Sequence, residues 1–215
     1  MSHADAPTRS PTLGADGRIL EAIVTTCNAD GSINISPMGP LVDETIDWLW
    51  LRPFNTSTTF RNLQRTGRGV LQVIDDVELI AHAAVGQPIP LPQLLDADQH
   101  DGLILADACR WFAFEVEWID DATERTTILA RVTDRGSLRD FFGFNRAKHA
   151  VLEAAILATR IHLIDSREIA AEFDRLKVIV DKTGAAAEHR AFAFLRAYID
   201  QRCHGSQEIT DAHQQ

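Results

Sequence analysis

From residue 52 to residue 63 the chain reads RPFNTSTTFRNL, which places an arginine, a run of hydroxyl side chains and a helix start next to one another. A strand that precedes Arg52 would deliver this side chain to its end. Thr56 or Ser57 would then cap a helix that stops near Gly67, because Ser and Thr cap helix N-termini and Gly commonly follows the last turn. The stretch therefore predicts a strand, a short loop and a capped helix in immediate succession.

The same segment has the chemistry of a phosphate site. The first-turn amides of a helix and the positive end of its dipole attract anions. Arg52 would add a fixed positive charge, and the hydroxyl groups of Ser57, Thr58 and Thr59 can donate hydrogen bonds to phosphate oxygens. An ordinary capped helix beside a solvated arginine would leave the same sequence pattern. The residues alone leave both interpretations open.

Alternating apolar and polar residues predict six strands before a helical C-terminal part. The predicted strands are residues 18–27, 32–38, 45–51, 69–74, 110–120 and 124–134, and the predicted C-terminal helices are residues 145–159, 167–182 and 185–202. Residues 28–31 (NADG) form the expected turn of the first hairpin. This order indicates an α+β protein built on a small antiparallel barrel of about six strands with a helical C-terminal extension.

The two ends of the chain lack hydrophobic periodicity. Residues 1–16 are rich in Ser, Pro, Ala and Thr, and residues 204–215 are polar, so the first are predicted to be disordered and the second to form a loose tail. The predicted domains are therefore the barrel at residues 17–142 and the helical extension at residues 143–203.

The composition of the 215 residues favours a cytoplasmic protein that binds neither nucleic acid nor membranes. The net charge is −10, and no basic stripe would offset the repulsion from a polyanion. No apolar run approaches the roughly 20 residues that span a bilayer, and the N-terminus lacks the apolar core of a signal peptide. Cys27, Cys109 and Cys203 are odd in number and widely spaced, which is typical of reduced thiols.

Other candidate sites have simpler explanations. Asp75, Asp76, Glu78 and His82 resemble metal ligands, yet acidic residues at a helix start also stabilise the helix dipole, and we predict no metal. The chain contains no HExxH, GxSxG, Walker A or GxGxxG pattern, so no catalytic residue is assigned. The four tryptophans lie on predicted strands, which indicates core or interface packing rather than base stacking.

The predicted helix that starts near Asn145 carries Arg146 and Lys148 in its first turn, where the helix dipole disfavours positive charge. Two explanations remain open. Asn145 and Lys148 would bind an anionic substrate or cofactor group, or the cations would pair with some of the many acidic residues of this chain.

Three segments taken together resemble the DUF447 family, a family of domains of unknown function. The segments are GRILEAIVTTCNADGSINISPMGP from residue 17, RPFNTSTTFRNL followed by GRGVLQVIDD, and FNRAKHAVLEAAILATR from residue 144. The resemblance covers residues 17–200 approximately. It implies the FMN-binding split-barrel fold, similar to flavin reductases and pyridoxamine-phosphate oxidase-like proteins, and a homodimer with FMN at the subunit interface. It implies no particular reaction.

The resemblance also implies a cofactor site. The family pattern of an arginine, an aromatic residue, Ser-x-Thr and Asn-Leu falls on Arg52, Phe54, Ser57, Thr59, Asn62 and Leu63, with Thr56 and Thr58 as neighbours. This segment would hold the FMN phosphate, and Asn62 would bond the cofactor or brace the loop.

A second part of the implied site is the strand at residues 34–40, which would pass along the isoalloxazine ring. The amides of Ser36, Met38 and Gly39 would bond the polar edge of the ring, whereas Pro37 has no amide hydrogen to donate. Alternatively, this is an edge strand whose prolines only discourage aggregation.

Two functions fit these residues. In an FMN-dependent oxidoreductase the flavin performs hydride or electron transfer and the protein orients it, so no conspicuous side-chain acid or base is required. A non-catalytic module on the same fold would use FMN or a related phosphate ligand as a carrier, a sensor or a structural element. The sequence does not separate the two functions and names neither a substrate nor an electron donor.

Overall fold

The computed structural model describes residues 11–86, 91–95, 100 and 103–212, and for residues 203–212 it describes the backbone only. The predicted tail residues 1–10 and 213–215 lie outside the described residues. The chain folds into two compact units. The sheet unit comprises Met1–Ile74 and Leu91–Phe141, and the helical unit comprises Asp75–Pro90 and Phe142–Gln215.

Within its described residues, the sheet unit contains one antiparallel sheet of eight strands. The strands are β1 (Arg18–Ile19), β2 (Ala22–Cys27), β3 (Ile33–Met38), β4 (Leu41–Val42), β5 (Trp48–Leu51), β6 (Arg68–Val73), β7 (Arg110–Asp120) and β8 (Thr127–Ser137). Their order across the sheet is β1-β4-β5-β8-β7-β6-β2-β3, so β3 lies at one edge. Helix α1 (Thr58–Thr66) connects β5 to β6.

The central strands bury side chains on both faces of the sheet, because successive side chains of a strand point to opposite faces. One face carries Val24, Leu71 and Phe114, which belong to the same buried cluster as Phe60 and Leu63 of α1. A smaller cluster on the other face consists of Val70, Leu103, Ile104, Trp111 and Ala113. The apolar stripe of α1 therefore fixes this helix on the sheet.

All six predicted strands are present, and two short additional strands raise the count to eight. The predicted strand at residues 18–27 is divided into β1 and β2, and β4 follows β3. Strand β5 begins at Trp48 rather than at residue 45, because Ile46 has a φ of 55°, a left-handed conformation that a strand does not contain. The predicted turn between β2 and β3 is confirmed, with Gly31 at a φ of 84°.

The helical unit contains α2 (Val77–Ala84), α3 (Arg146–Ala158), α4 (Ser166–Thr183) and α5 (Ala186–Ala212). The three C-terminal helices match the predicted ranges, except that α5 continues past residue 202 into the segment predicted as a loose tail. Helix α2, which the prediction grouped with the barrel, packs here around small and aromatic side chains such as Ala154 and Phe173. Sheet and helices together confirm the α+β class. Among the described residues no helix is long and apolar enough to cross a membrane.

Candidate functional site

Helix α1 begins and ends as the sequence predicts. Ser57 is the N-cap with an extended backbone (φ −74°, ψ 152°), and its Oγ accepts a hydrogen bond from the Phe60 amide at 3.1 Å. Gly67 follows the last turn with a φ of 66°, and its amide donates to the Leu63 carbonyl at 2.8 Å. The sequence left Thr56 and Ser57 as candidates for the N-cap, and in the structure Ser57 is the N-cap.

The first turn of α1 contains two amides with acceptors inside the protein and two without. The Phe60 amide is satisfied by Ser57 Oγ, and the Arg61 amide donates to the Ser57 carbonyl at 3.2 Å. The amides of Thr58 and Thr59 have no acceptor within the part of the chain that the structure describes. Amides of this kind, at the positive end of a helix dipole, bind anions.

Two arginines belong to the same strand-to-helix segment. The Arg52 side chain is exposed, and its guanidinium forms no ion pair or hydrogen bond with any described residue. Arg61 folds back over the helix start, where Nη1 donates to the Thr56 carbonyl at 2.7 Å and Nη2 donates to Thr58 Oγ1 at 3.2 Å. Thr56 and Thr58 are exposed as well. These four side chains are therefore accessible to a ligand that approaches from solvent.

A buried polar network joins α1 to the β2–β3 hairpin. Thr59 is 2% exposed, and its Oγ1 accepts a hydrogen bond from Asn34 Nδ2 of β3 at 3.0 Å. Asn62 Nδ2 donates to Thr26 Oγ1 at 3.0 Å and to Asn28 Oδ1 at 2.8 Å. Because both bonds of the buried Asn62 amide are made within the protein, the structure supports the bracing role for this residue. The network brings the predicted phosphate turn next to the strand predicted to follow the flavin ring.

The register of β3 determines which of its amides point outward. The turn closes with a hydrogen-bonded pair of residues, and the alternation that starts there makes Ser36 and Met38 hydrogen-bonded partners of β2. Pro37 occupies the intervening position, where a missing amide hydrogen costs no bond to β2. The amides of Ser36 and Met38 therefore face β2, which favours a role in the sheet over the ring contacts predicted for them. The bond from the Leu20 amide to the Pro40 carbonyl continues this alternation and places the amide of the exposed Gly39 on the open side.

Phe54 packs against a cation from a distant part of the chain. Its side chain is 45% exposed, and the guanidinium carbon of Arg125 lies 3.8 Å from the ring centroid. Sequence reasoning missed Arg125, which is 73 residues from Arg52 and left no local signal. It also missed Arg61, although the spacing of three residues between Thr58 and Arg61 on a helix could have indicated their contact.

Asn145 and Lys148 serve the internal structure of the helical unit. Asn145 caps α3 through Oδ1, which accepts a hydrogen bond from the Lys148 amide at 3.0 Å. Lys148 Nζ lies 3.0 Å from Glu188 Oε1 and donates to the Asp75 carbonyl at 2.6 Å. Of the two explanations that the sequence left open, these contacts favour pairing with an acidic residue. The binding of an anionic group by Asn145 and Lys148 stays a prediction.

The ion pair shifts the pKa of Glu188. Its side chain is 6% exposed, and this burial by itself would raise the pKa of the carboxyl group. Hydrogen bonds from Lys148 and from the Ala185 amide outweigh the burial, so the pKa of Glu188 is lowered from its ordinary value. The carboxylate therefore stays charged inside the helical unit.

The acidic residues before α2 have structural roles. Asp76 Oδ1 accepts hydrogen bonds from the amides of Glu78 and Leu79 at 3.0 and 3.1 Å and so caps the helix. Glu78 pairs with Arg190 at 2.7 Å, and the hydrogen bond from Arg190 lowers the pKa of Glu78. These contacts agree with the predicted preference for acidic residues at a helix start.

Comparison with known families and curated proteins gives two matches, both to one family. The family model for the N-terminal domain of DUF447, a protein of unknown function, matches residues 20–139. The model for the C-terminal DUF447 domain matches residues 145–197. No curated protein matches the chain.

Solved structures with similar folds include flavin-related proteins. The FMN-bound DUF447 protein MM1853 from Methanosarcina mazei has a TM-score of 0.71 and 21% identity over 84% of this chain and 94% of that one. The flavin reductase of styrene monooxygenase from Pseudomonas putida S12 has a TM-score of 0.47 and 17% identity over 55% of this chain and 80% of that one.

The similarity to MM1853 shows a shared fold and confirms the expected split β-barrel with a helical C-terminal part. The N-terminal family match alone spans more than half of the sequence, and the C-terminal match follows it in the order of the family. The chain therefore belongs to the DUF447 family.

Proposed function

We propose that this protein is a flavoprotein that binds FMN. The observation that carries the proposal is the first turn of α1, where two amides lack acceptors among the described residues and follow the exposed Arg52. The bond between Asn34 and Thr59 ties this turn to the edge strand β3. The FMN-bound state of a family member with the same fold supports the choice of FMN as the ligand.

On this proposal each part of the segment has a role. The phosphate accepts hydrogen bonds from the Thr58 and Thr59 amides and from the exposed hydroxyl groups, while Arg52 supplies charge. The isoalloxazine ring lies along β3, with the outward amide of Gly39 at its polar edge. FMN, when bound, supplies hydride or electron transfer, and the protein binds and orients it. We therefore propose an FMN-dependent oxidoreductase of unassigned substrate.

An absorption spectrum of the purified protein, followed by titration of colourless protein with FMN, tests the cofactor. We expect oxidised-flavin bands near about 370 and 450 nm, or saturable binding of added FMN. A colourless protein that neither binds FMN nor gains thermal stability from it would contradict the proposal.

A reductant screen separates an enzyme from a binding module. Bleaching of the flavin by NADH or NADPH and its return in air would support an oxidoreductase. Tight binding of FMN without a response to either reductant, or to dithionite-reduced ferredoxin as a second donor, would favour the non-catalytic module.

Two substitutions at Ser57 separate its capping role from the effect of charge next to the proposed phosphate. Ser57→Ala removes the acceptor for the Phe60 amide, and we expect a loss of about 1 kcal/mol in the free energy of unfolding. Ser57→Asp keeps an acceptor and suits the helix dipole, so we expect wild-type stability. The added negative charge should nevertheless weaken FMN binding by about tenfold through repulsion of the phosphate.

Urea unfolding and FMN titration of both Ser57 variants provide the measurements. Wild-type FMN affinity in Ser57→Asp would exclude a phosphate at the start of α1. Wild-type stability in Ser57→Ala would show that the cap contributes nothing to the fold.

We also propose that the protein is a homodimer. In the helical unit Phe142 and Phe144, two residues apart in the chain, are 70% and 96% exposed and offer apolar surface that a second copy can cover. Light scattering should give the mass of two chains, and Phe144→Ser should lower it towards one chain. A wild-type mass of one chain at micromolar concentration would contradict the proposal. FMN at the subunit interface and a cytoplasmic location stay predictions.

A further inference from the structure

The loop that leads into α1 forms backbone hydrogen bonds with the turn of the β7–β8 hairpin on both sides of Phe54. The Thr126 amide and hydroxyl both donate to the Pro53 carbonyl, at 3.0 and 2.9 Å, and Thr126 is fully buried. The Asn55 amide donates to the Glu124 carbonyl at 2.9 Å. The hairpin therefore acts as the support on which this loop is built.

Arg125 lies between these two attachments and contacts the loop twice. Its guanidinium stacks on the Phe54 ring at 3.8 Å, and its Nη1 donates to the Arg52 carbonyl at 3.0 Å. The backbones of Phe54 and Arg125 also form an antiparallel bridge. A planar guanidinium can stack through its face while it donates in its plane, which a lysine ammonium cannot do.

We propose that Arg125 is a positioning residue that holds residues 52–57 in the phosphate-binding conformation. The proposal rests on the proposed binding of FMN. By fixing the Arg52 carbonyl, Arg125 restricts the direction in which the Arg52 side chain leaves the backbone. Arg125 also fixes Phe54, whose carbonyl accepts a hydrogen bond from the Ser57 amide at 2.9 Å. It thereby restricts the position of Ser57, the residue that caps α1. The loop thus holds Arg52 and the start of α1 in place before the phosphate binds, so binding requires no rearrangement of the loop.

The test compares FMN with riboflavin, which has the same ring but no phosphate. Arg125→Ala should weaken FMN binding by about tenfold and leave riboflavin binding unchanged, because only the phosphate contacts depend on the loop. Arg125→Lys should resemble Arg125→Ala, since charge without the planar group does not restore both contacts. Arg131→Ala is the matched control: Arg131 lies on β8, pairs with Glu117 at 2.8 Å, and should change neither affinity.

Amide hydrogen exchange of the apoprotein provides a readout that does not depend on the cofactor. The amides of Asn55 and Ser57 should exchange faster in Arg125→Ala than in the wild type, because the loop loses two of its attachments. Unchanged exchange, or an equal loss of FMN and riboflavin affinity, would overturn the proposal for Arg125. A wild-type protein that binds no FMN would instead overturn the proposed function, and the exchange data would still report on the loop.

Discussion

We expect replacement of Arg52 by alanine to weaken the proposed FMN binding by about 1.5–3 kcal/mol, or roughly 10-fold to 150-fold in Kd, and to leave the fold intact. The Arg52 guanidinium is exposed and has no partner among the described residues, so its removal costs the protein no internal contact. The substitution does remove the proposed charge-assisted hydrogen bonds between Arg52 and the phosphate. Titration with FMN, followed by flavin fluorescence, measures the effect.

Two variants control the Arg52 result. Arg52→Lys keeps the charge but loses the forked donor geometry, so we expect an intermediate affinity. Arg175→Ala removes the same charge from α4, where Arg175 pairs with Glu172 at 3.0 Å, and should leave the affinity unchanged. If Arg52→Ala binds FMN as tightly as the wild type, Arg52 does not belong to the site.

We expect replacement of Lys148 by methionine to destabilise the helical unit by about 3 kcal/mol. The reason is the buried Glu188 carboxylate, which would lose its cation while its side chain stays 6% exposed. Urea unfolding followed by circular dichroism measures the change. Lys177→Met is the matched control, because the pair of Lys177 with Asp181 is solvent-exposed and its loss should cost less than about 1 kcal/mol.

The cost of Lys148→Met should depend on pH in a defined direction. The pKa of Glu188 is lowered in the folded protein, so the pair contributes fully above the ordinary value of 4.5 and its contribution is lost as the pH falls through the lower folded pKa. In Lys148→Met the burial that raises the pKa of Glu188 loses its main opponent, so the variant's carboxyl takes up a proton first as the pH falls. The difference in stability between wild type and Lys148→Met should therefore shrink as the pH falls from 7 towards 3.5. A difference that stays constant from pH 7 to pH 3.5 would show that Glu188 is not the cause.

Most of the secondary structure followed from the sequence because its signals are local. Helix α1 illustrates this, since Ser57 caps it and Gly67 ends it through contacts within four residues. The turn between β2 and β3 was also predictable from a local signal, because Gly31 readily adopts the left-handed backbone conformation at that position. Strand β5 was predicted too long because the left-handed Ile46 breaks the strand, and apolar alternation does not reveal backbone conformation.

The sequence by itself determined the α+β class, the family and the chemical character of residues 52–63, because periodicity, capping and motif order are properties of neighbouring residues. Tertiary structure decided which of the predicted site residues are exposed and which are used within the protein. It buried Thr59 and Asn62 against β2 and β3, turned the Ser36 and Met38 amides towards β2, and paired Lys148 with Glu188. It also brought Arg125 to a loop 73 residues away. These contacts depend on strand register and helix packing, which join residues that are far apart in the chain and leave no periodic trace in it.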